Sequence, residues 1–302
     1  MAYPLVAMNN YTNQKVRQKS GFTIIELLVV ISILALLAAL LLPALGKAMA
    51  AARTTKDKSQ IGGIHGAMLL YASSNEGDLP LPSVVGSDHE NIAHDYSDTT
   101  ANLMSLMLGR NYFTTATLIS PVESNTSILD INANTLAYDY DSIDGNTVLW
   151  DELFEGDIST STVSSPANNS YAHQALWGER VRLKWNSGSS SSDIILSNRG
   201  PENGVQDSPA YTNSNTLKFH GSESVWIGVV VSGDGSVRTV NSVFPEGIAY
   251  QPLNGLPLGP DNLFNPDWGD VDPTDGTKSG DNWLIICIEA DEETGTITPA
   301  WD

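Results

Sequence analysis

The residues with which this chain could do chemistry are five histidines, one cysteine and several acidic clusters. His65, His89, His94, His173 and His220 are scattered without metal-ligand spacing. There is no HExxH, GxSxG elbow, Walker loop, paired CxxC or GxGxxG. No nucleophile–base pair is suggested, so the sequence points away from catalysis. His89 and His94, near Asp88, Glu90 and Asp95, read as a solvated loop. A more specific pattern is DxDxxDG, which occurs from Asp139 to Gly145 and again from Asp270 to Gly276. Calcium prefers clustered carboxylate and carbonyl oxygens on turns, and the glycine permits the bend. The spacing is one residue longer than an EF-hand start, and the twelfth-position glutamate is missing. Asp270, Asp272 and Asp275, with Asp267 and Asp281 nearby, form the candidate calcium site. The remaining oddity is Glu26, a carboxylate near the start of a long apolar run. An acid in hydrocarbon is costly unless paired, so its presence there is a functional signal.

The composition narrows the setting. The chain has 302 residues and a net charge of −20, while its first 21 residues carry Lys15, Arg17 and Lys19 and no acid. So acidic a body is repelled by phosphate backbones, and no direct nucleic-acid partner is expected. The acidity reads as solubility in an exported, salt-exposed setting. The lone Cys287 excludes an internal disulfide and lies in an apolar run, where a buried structural thiol is expected.

Residues 22–45 are interrupted only by Thr23, Glu26, Ser32 and Pro43. As a helix this run spans roughly 36 Å, enough for a bilayer core of about 30 Å. The cations before it place the N-terminus in the cytoplasm and the body outside, although Lys47, Arg53, Lys56 and Lys58 weaken the asymmetry. Three readings compete: a cleaved secretory signal with a small-residue site at Ala48-Met49-Ala50, a plain anchor, or a segment in which Glu26 has work to do.

The string from Lys19 to Leu27 resembles the cleavage and methylation motif of type IV prepilins and type II secretion pseudopilins. The resemblance implies cleavage between Gly21 and Phe22 by a prepilin peptidase, with Phe22 becoming the N-methylated first residue. Glu26 then becomes the fifth residue, the family's acid position, and Pro43 the twenty-second, where many type IV pilins carry a helix break. It further implies that Glu26 pairs with the freed amine of Phe22 in a neighbouring subunit. Two opposite charges desolvated together suffer less than either alone. Pro43 removes one helix hydrogen bond, so a kink or local melt is expected near it.

These residues need a long helix to position them. Ile61, Ile64, Met68 and Tyr71 or Ala72 follow helical spacing beyond the apolar run, which predicts one helix over about 22–73. A turn follows at 73–78. A short helix is expected within 101–119, ending near Gly109. Strands are expected at 171–177, 180–185, 193–197, 225–231, 236–240 and 283–289, with a hairpin around Asp234-Gly235. His220, Asp234 and Gly235 also resemble the C-terminal H-x9-DG element of large prepilin-like proteins of planctomycete-type bacteria. Here 13 residues, not nine, separate His220 from Asp234, which puts a shared role for His220 in doubt. Asp234-Gly235 alone reads as a turn.

The expected fold is α+β and pilin-like, a long N-terminal helix packed on an antiparallel β-sheet body. Its parts are a leader (1–21), the membrane-spanning half of the helix (22–45), the amphipathic half and turn (46–78) and the body (79–302). The expected function is that of a structural pilin-like or pseudopilin subunit. Its partners would be the prepilin peptidase, other such subunits, the inner-membrane assembly platform and membrane lipids. The expected location is the inner membrane with the body in the periplasm, then a pilus, pseudopilus or the cell surface. The alternatives are a membrane-anchored binding protein that does not polymerise and a secreted enzyme released by ordinary signal peptidase.

Overall fold

The computed structural model describes residues 21–87, 95–133, 137–140, 149–250, 259–266, 281–291 and 296–301. The chain divides into two compact units, Met1–Met49 and Ala50–Asp302. Helix α1 (Ile24–Ala72) begins in the first and continues into the second. Leu- and Ala-rich sequence favours helix through backbone and rotamer entropy. In the first unit the helix is apolar on all sides and exposed, with Leu40 70% accessible. It is long and apolar enough to cross a membrane. The Ser32 hydroxyl is satisfied within the helix by donating to Leu28 O at 2.7 Å.

Pro43 lies inside α1, which runs unbroken from Ile24 to Ala72. Of the kink or local melt expected near Pro43, the helix shows no melt. Proline removes only the bond to the carbonyl four residues back, and the helical turns on both sides carry the chain through.

In the second unit α1 buries Ile61, Ile64, Met68 and Ala72, and also His65 and Asp57. Gly77, at φ +98°, closes the helix by donating its N–H to Ala72 O at 3.0 Å. Helices α2 (Pro82–Ser87) and α3 (Thr100–Gly109) follow, and Thr99 caps α3. Next come β1 (Tyr171–Gln174), α4 (Glu179–Lys184), β2 (Ile194–Asn198), α5 (Pro209–Asn213), β3 (Gly228–Ser232) and β4 (Val237–Val240). Beyond these lie β5 (Ala249–Tyr250), β6 (Gly259–Pro260), β7 (Leu284–Ile285), β8 (Cys287–Asp291) and β9 (Thr296–Pro299).

Five strands form an antiparallel sheet in the order β4-β3-β2-β1-β7, and β5-β6 and β8-β9 are separate two-stranded pairs. One hydrophobic cluster joins Tyr171, Val229 and Val231 to Ile61, Ile64 and Met68 of α1. A second joins Ala172, Ile194, Val230 and Leu284 to Tyr211, Trp226 and Phe264. The sheet is thus covered on both faces, which is why its central strands read as apolar runs rather than alternation. Gly62 has a local reason: a Cβ there would stand 3.1 Å from Val237 Cγ2, so its absence lets β4 approach the helix. The arrangement is α+β, a long N-terminal apolar helix with an antiparallel sheet body, like that of pilins.

Three strand expectations need correction. Residues 180–184 lie in helix α4, not in a strand, and Trp185 follows the helix. The alternation Val181, Leu183, Trp185 suggested one buried face, but Leu183 is 46% exposed while Arg180 is fully buried. The run 225–231 becomes strand only at Gly228. Trp226 is held side-on instead, its N–H donating to Tyr211 Oη at 3.0 Å and its Nε1–H to Arg199 O at 3.1 Å. The run 283–289 splits into β7 and β8. The Cys287 N–H donates to Thr100 Oγ1 at 2.7 Å, so the chain leaves the main sheet there and pairs with β9.

Candidate functional site

The residues expected to be processed, Gly21, Phe22 and Glu26, lie together at the start of α1. Phe22 is exposed, and nothing lies within 4 Å of where a Cβ on Gly21 would stand. Thr23 and Glu26 form a reciprocal pair at the start of α1. The Thr23 N–H and hydroxyl both donate to Glu26 Oε2, at 2.9 and 2.8 Å, and the Glu26 N–H donates to Thr23 Oγ1 at 3.2 Å. This is a capping box, in which two helix-start donors and one carboxylate satisfy each other. The carboxylate is thus held by its own helix in the single chain, exposed and aimed at the start of the helix.

The second site lies in the body, where a charge is buried without a charged partner in hydrogen-bond contact. Asp57 occupies the inward face of α1, one turn before Ile61, and is fully buried. Its Oδ1 accepts from Ser120 Oγ at 2.6 Å and from Tyr171 Oη at 2.9 Å, and its Oδ2 accepts from Asn198 Nδ2 at 2.9 Å. Three donors replace the water the carboxylate has lost. Burial, and then the Asp57 charge, push the Tyr171 hydroxyl well above its ordinary range, so it stays a donor.

His220 stands at the edge of this network. Its Nδ1 is 3.1 Å from Thr54 Oγ1, its Nε2 is 3.4 Å from Asn198 Oδ1, and Asp57 Oδ2 is 3.9 Å away. Burial lowers its pKa, Asp57 opposes that shift, and Lys58 reinforces it. Asn198 Oδ1 is an acceptor, already taking the Val229 N–H, so the contact at Nε2 calls for a proton on that nitrogen. Beside the network Arg199 clamps Glu123 with two bonds of 3.0 and 2.7 Å, both side chains buried.

His220 and Asp234 are not joined by a hydrogen bond or an ion pair. Asp234 accepts the Ser236 N–H at 3.0 Å in the exposed β3–β4 turn, with Gly235 at φ +82°, as a turn requires. Asp270, Asp272 and Asp275, and also His89 and His94, lie outside the described residues. Asp281 is described: it is fully buried and ion-paired with Arg180. Among the described residues no group of three or more His, Cys, Asp or Glu could hold a metal ion.

Asp57 was not among the site residues expected from the sequence. The signal was an acid set in register with Ile61, Ile64 and Met68 on a buried helical face. Replacing it isolates three buried donors at once. Asp57→Ala is expected to destabilise the body by about 3–5 kcal/mol, whereas exposed Glu76→Ala changes stability by less than about 0.5 kcal/mol. Denaturant unfolding of the two variants checks this.

Among known families, residues 16–42 match the one described as the prokaryotic N-terminal methylation motif. No curated protein and no solved structure matches the chain. Phe22, Thr23, Glu26 and the apolar start of α1 all fall inside the matched segment. The chain therefore carries an N-terminal methylation motif, consistent with a prepilin-type signal, at the head of a helix suited to a single-pass membrane anchor.

Proposed function

We propose that the protein is a structural pilin-like or pseudopilin subunit, cut between Gly21 and Phe22, methylated at Phe22, and assembled through the exposed apolar half of α1. The observation that carries this reading is the methylation motif placed directly before a helix that leaves its apolar side chains uncovered. A prepilin peptidase would do the cutting and methylation. The partners would be other such subunits, the inner-membrane assembly platform and lipid, with the body in the periplasm before assembly.

The geometry at Glu26 supports a hand-over mechanism. Before cleavage the carboxylate is held by Thr23. Cleavage creates an amine at Phe22, and in a fibre the corresponding amine of a neighbour is a charged partner for Glu26. An ammonium adds a full opposite charge that the Thr23 hydroxyl lacks, and in a dry helix bundle the loss of one partner is severe. Such pairing would set the axial register of subunits.

Three measurements test this reading. N-terminal mass spectrometry is expected to find a mature chain beginning at methylated Phe22. A chain starting near Ala51 would identify an ordinary secretory signal instead. Cross-linking through a cysteine placed early in α1 is expected to give dimers and higher species in intact cells. The native Cys287 will not compete, because it is buried with its thiol pushed up to about 12. Glu26→Ala is expected to cut that cross-linking by at least about tenfold. No subunit contacts in either form would indicate an anchored monomer. We also propose calcium at Asp270, Asp272 and Asp275. Millimolar calcium should raise the thermal midpoint, and an unchanged midpoint would remove that site.

A further inference from the structure

The end of α4, the residue before β2, the residue after β6 and the residue two before β7 bring together four side chains that the reading above does not use. Lys184 is buried, with Nζ 3.2 Å from Asn282 Oδ1 and 3.4 Å from Asp193 Oδ1. Asn282 is held on every side. Its Oδ1 also accepts the Ile194 N–H at 2.8 Å, and its Nδ2 donates to Asp261 Oδ2 at 2.7 Å and to Ser192 O at 3.1 Å. The Asn282 N–H donates to the same Asp261 oxygen at 2.8 Å. Asp261 is fully buried, and its Oδ1 has no hydrogen-bond partner.

Each contact matches a requirement of amide exchange. A lysine amine is a nucleophile once it loses its proton, and it lies against the side-chain amide it would attack. A backbone N–H already sits on the oxygen where negative charge would develop. A carboxyl group touches the nitrogen that would leave. Burial, and then the neighbouring Asp281, push the Asp261 carboxyl up to about 7, so it keeps a proton that an exposed aspartate would have lost. Rigid placement of all three groups in a dry site replaces a bimolecular encounter.

We propose that Lys184 and Asn282 are joined by an intramolecular isopeptide bond, with Asp261 as the proton carrier. The Lys184 ammonium gives a proton to the Asp193 carboxylate, and the Nζ lone pair attacks Asn282 Cγ. The carbonyl pair moves onto Oδ1, against the Ile194 N–H. As it returns, the Cγ–Nδ2 bond breaks and the departing nitrogen takes the Asp261 proton. The surplus proton on the new amide nitrogen passes to Asp261 and restores it. Ammonia leaves with the proton held by Asp193, as ammonium. One carbon–nitrogen bond forms, one breaks, and no oxidant or reductant is needed. The link spans 98 residues of sequence and ties α4 covalently to the segment entering β7. It would prevent that strand from peeling off the sheet under heat or tension.

Peptide mapping of the full-length protein from its cells tests this directly. The expected product is a branched peptide pair joined from Lys184 to Asn282 and lighter than its two parts by one ammonia, with no tryptic cut after Lys184. Recovery of Lys184 and Asn282 on separate linear peptides of unmodified mass would overturn the proposal. So would ammonia loss confined to the Asn282 peptide, which marks a succinimide. Asp261→Asn keeps both reacting groups and is expected to abolish the branched peptide. A branched peptide at wild-type yield in that variant would overturn the role of Asp261. The wild-type map decides the bond itself even where the variant folds poorly.

Discussion

The fold of the body depends on how one carboxylate is buried. Asp57 is part of α1, but its hydrogen bonds come from the loop at Ser120, from β1 through Tyr171 and from β2 through Asn198. A desolvated aspartate tolerates few arrangements, and only one rotation and one axial position of the helix put three donors within reach. Apolar contacts from Ile61, Ile64 and Met68 supply most of the burial, but they would tolerate sliding. The carboxylate does not, so it specifies the docking that the hydrophobic surface stabilises.

The same device recurs across a strongly acidic protein. With 15 Lys and Arg against 35 Asp and Glu, cations are scarce, yet Arg180, Lys184 and Arg199 are all buried. Arg199 holds Glu123 and lies over the Phe219 ring, 5.1 Å from its centroid. Arg180 holds Asp281 and lies over Trp283, at 5.3 Å. Buried ion pairs contribute less to stability than their geometry suggests, because desolvation offsets much of the attraction. What they do supply is specificity. Each joins chain segments far apart in sequence, and in a protein built of short strands and long connections such ties decide which segments meet.

The N-terminal half of α1 follows the opposite logic. Its apolar side chains are left uncovered and its one acid is satisfied locally by Thr23. Among the described residues this surface is left exposed, and an apolar surface of this kind is suited to lipid or to other helices.

Features carried by neighbours in sequence could be read without a structure. The span of α1 follows from helical periodicity, and the β3–β4 turn follows from Asp234-Gly235. Local patterns failed where they imitate one another. The alternation at 181–185 looks like strand, yet α4 forms because Arg180 is drawn inward to Asp281, 101 residues away. The partners of Asp57 lie 63, 114 and 141 residues from it, and Lys184 and Asn282 are nearly as distant. The sequence by itself determined the methylation motif, the long apolar helix and the class of fold, because these rest on spacing along one chain. Which acids are buried, and what each holds, only the tertiary structure decided, because desolvation and hydrogen bonding act between atoms brought together by folding.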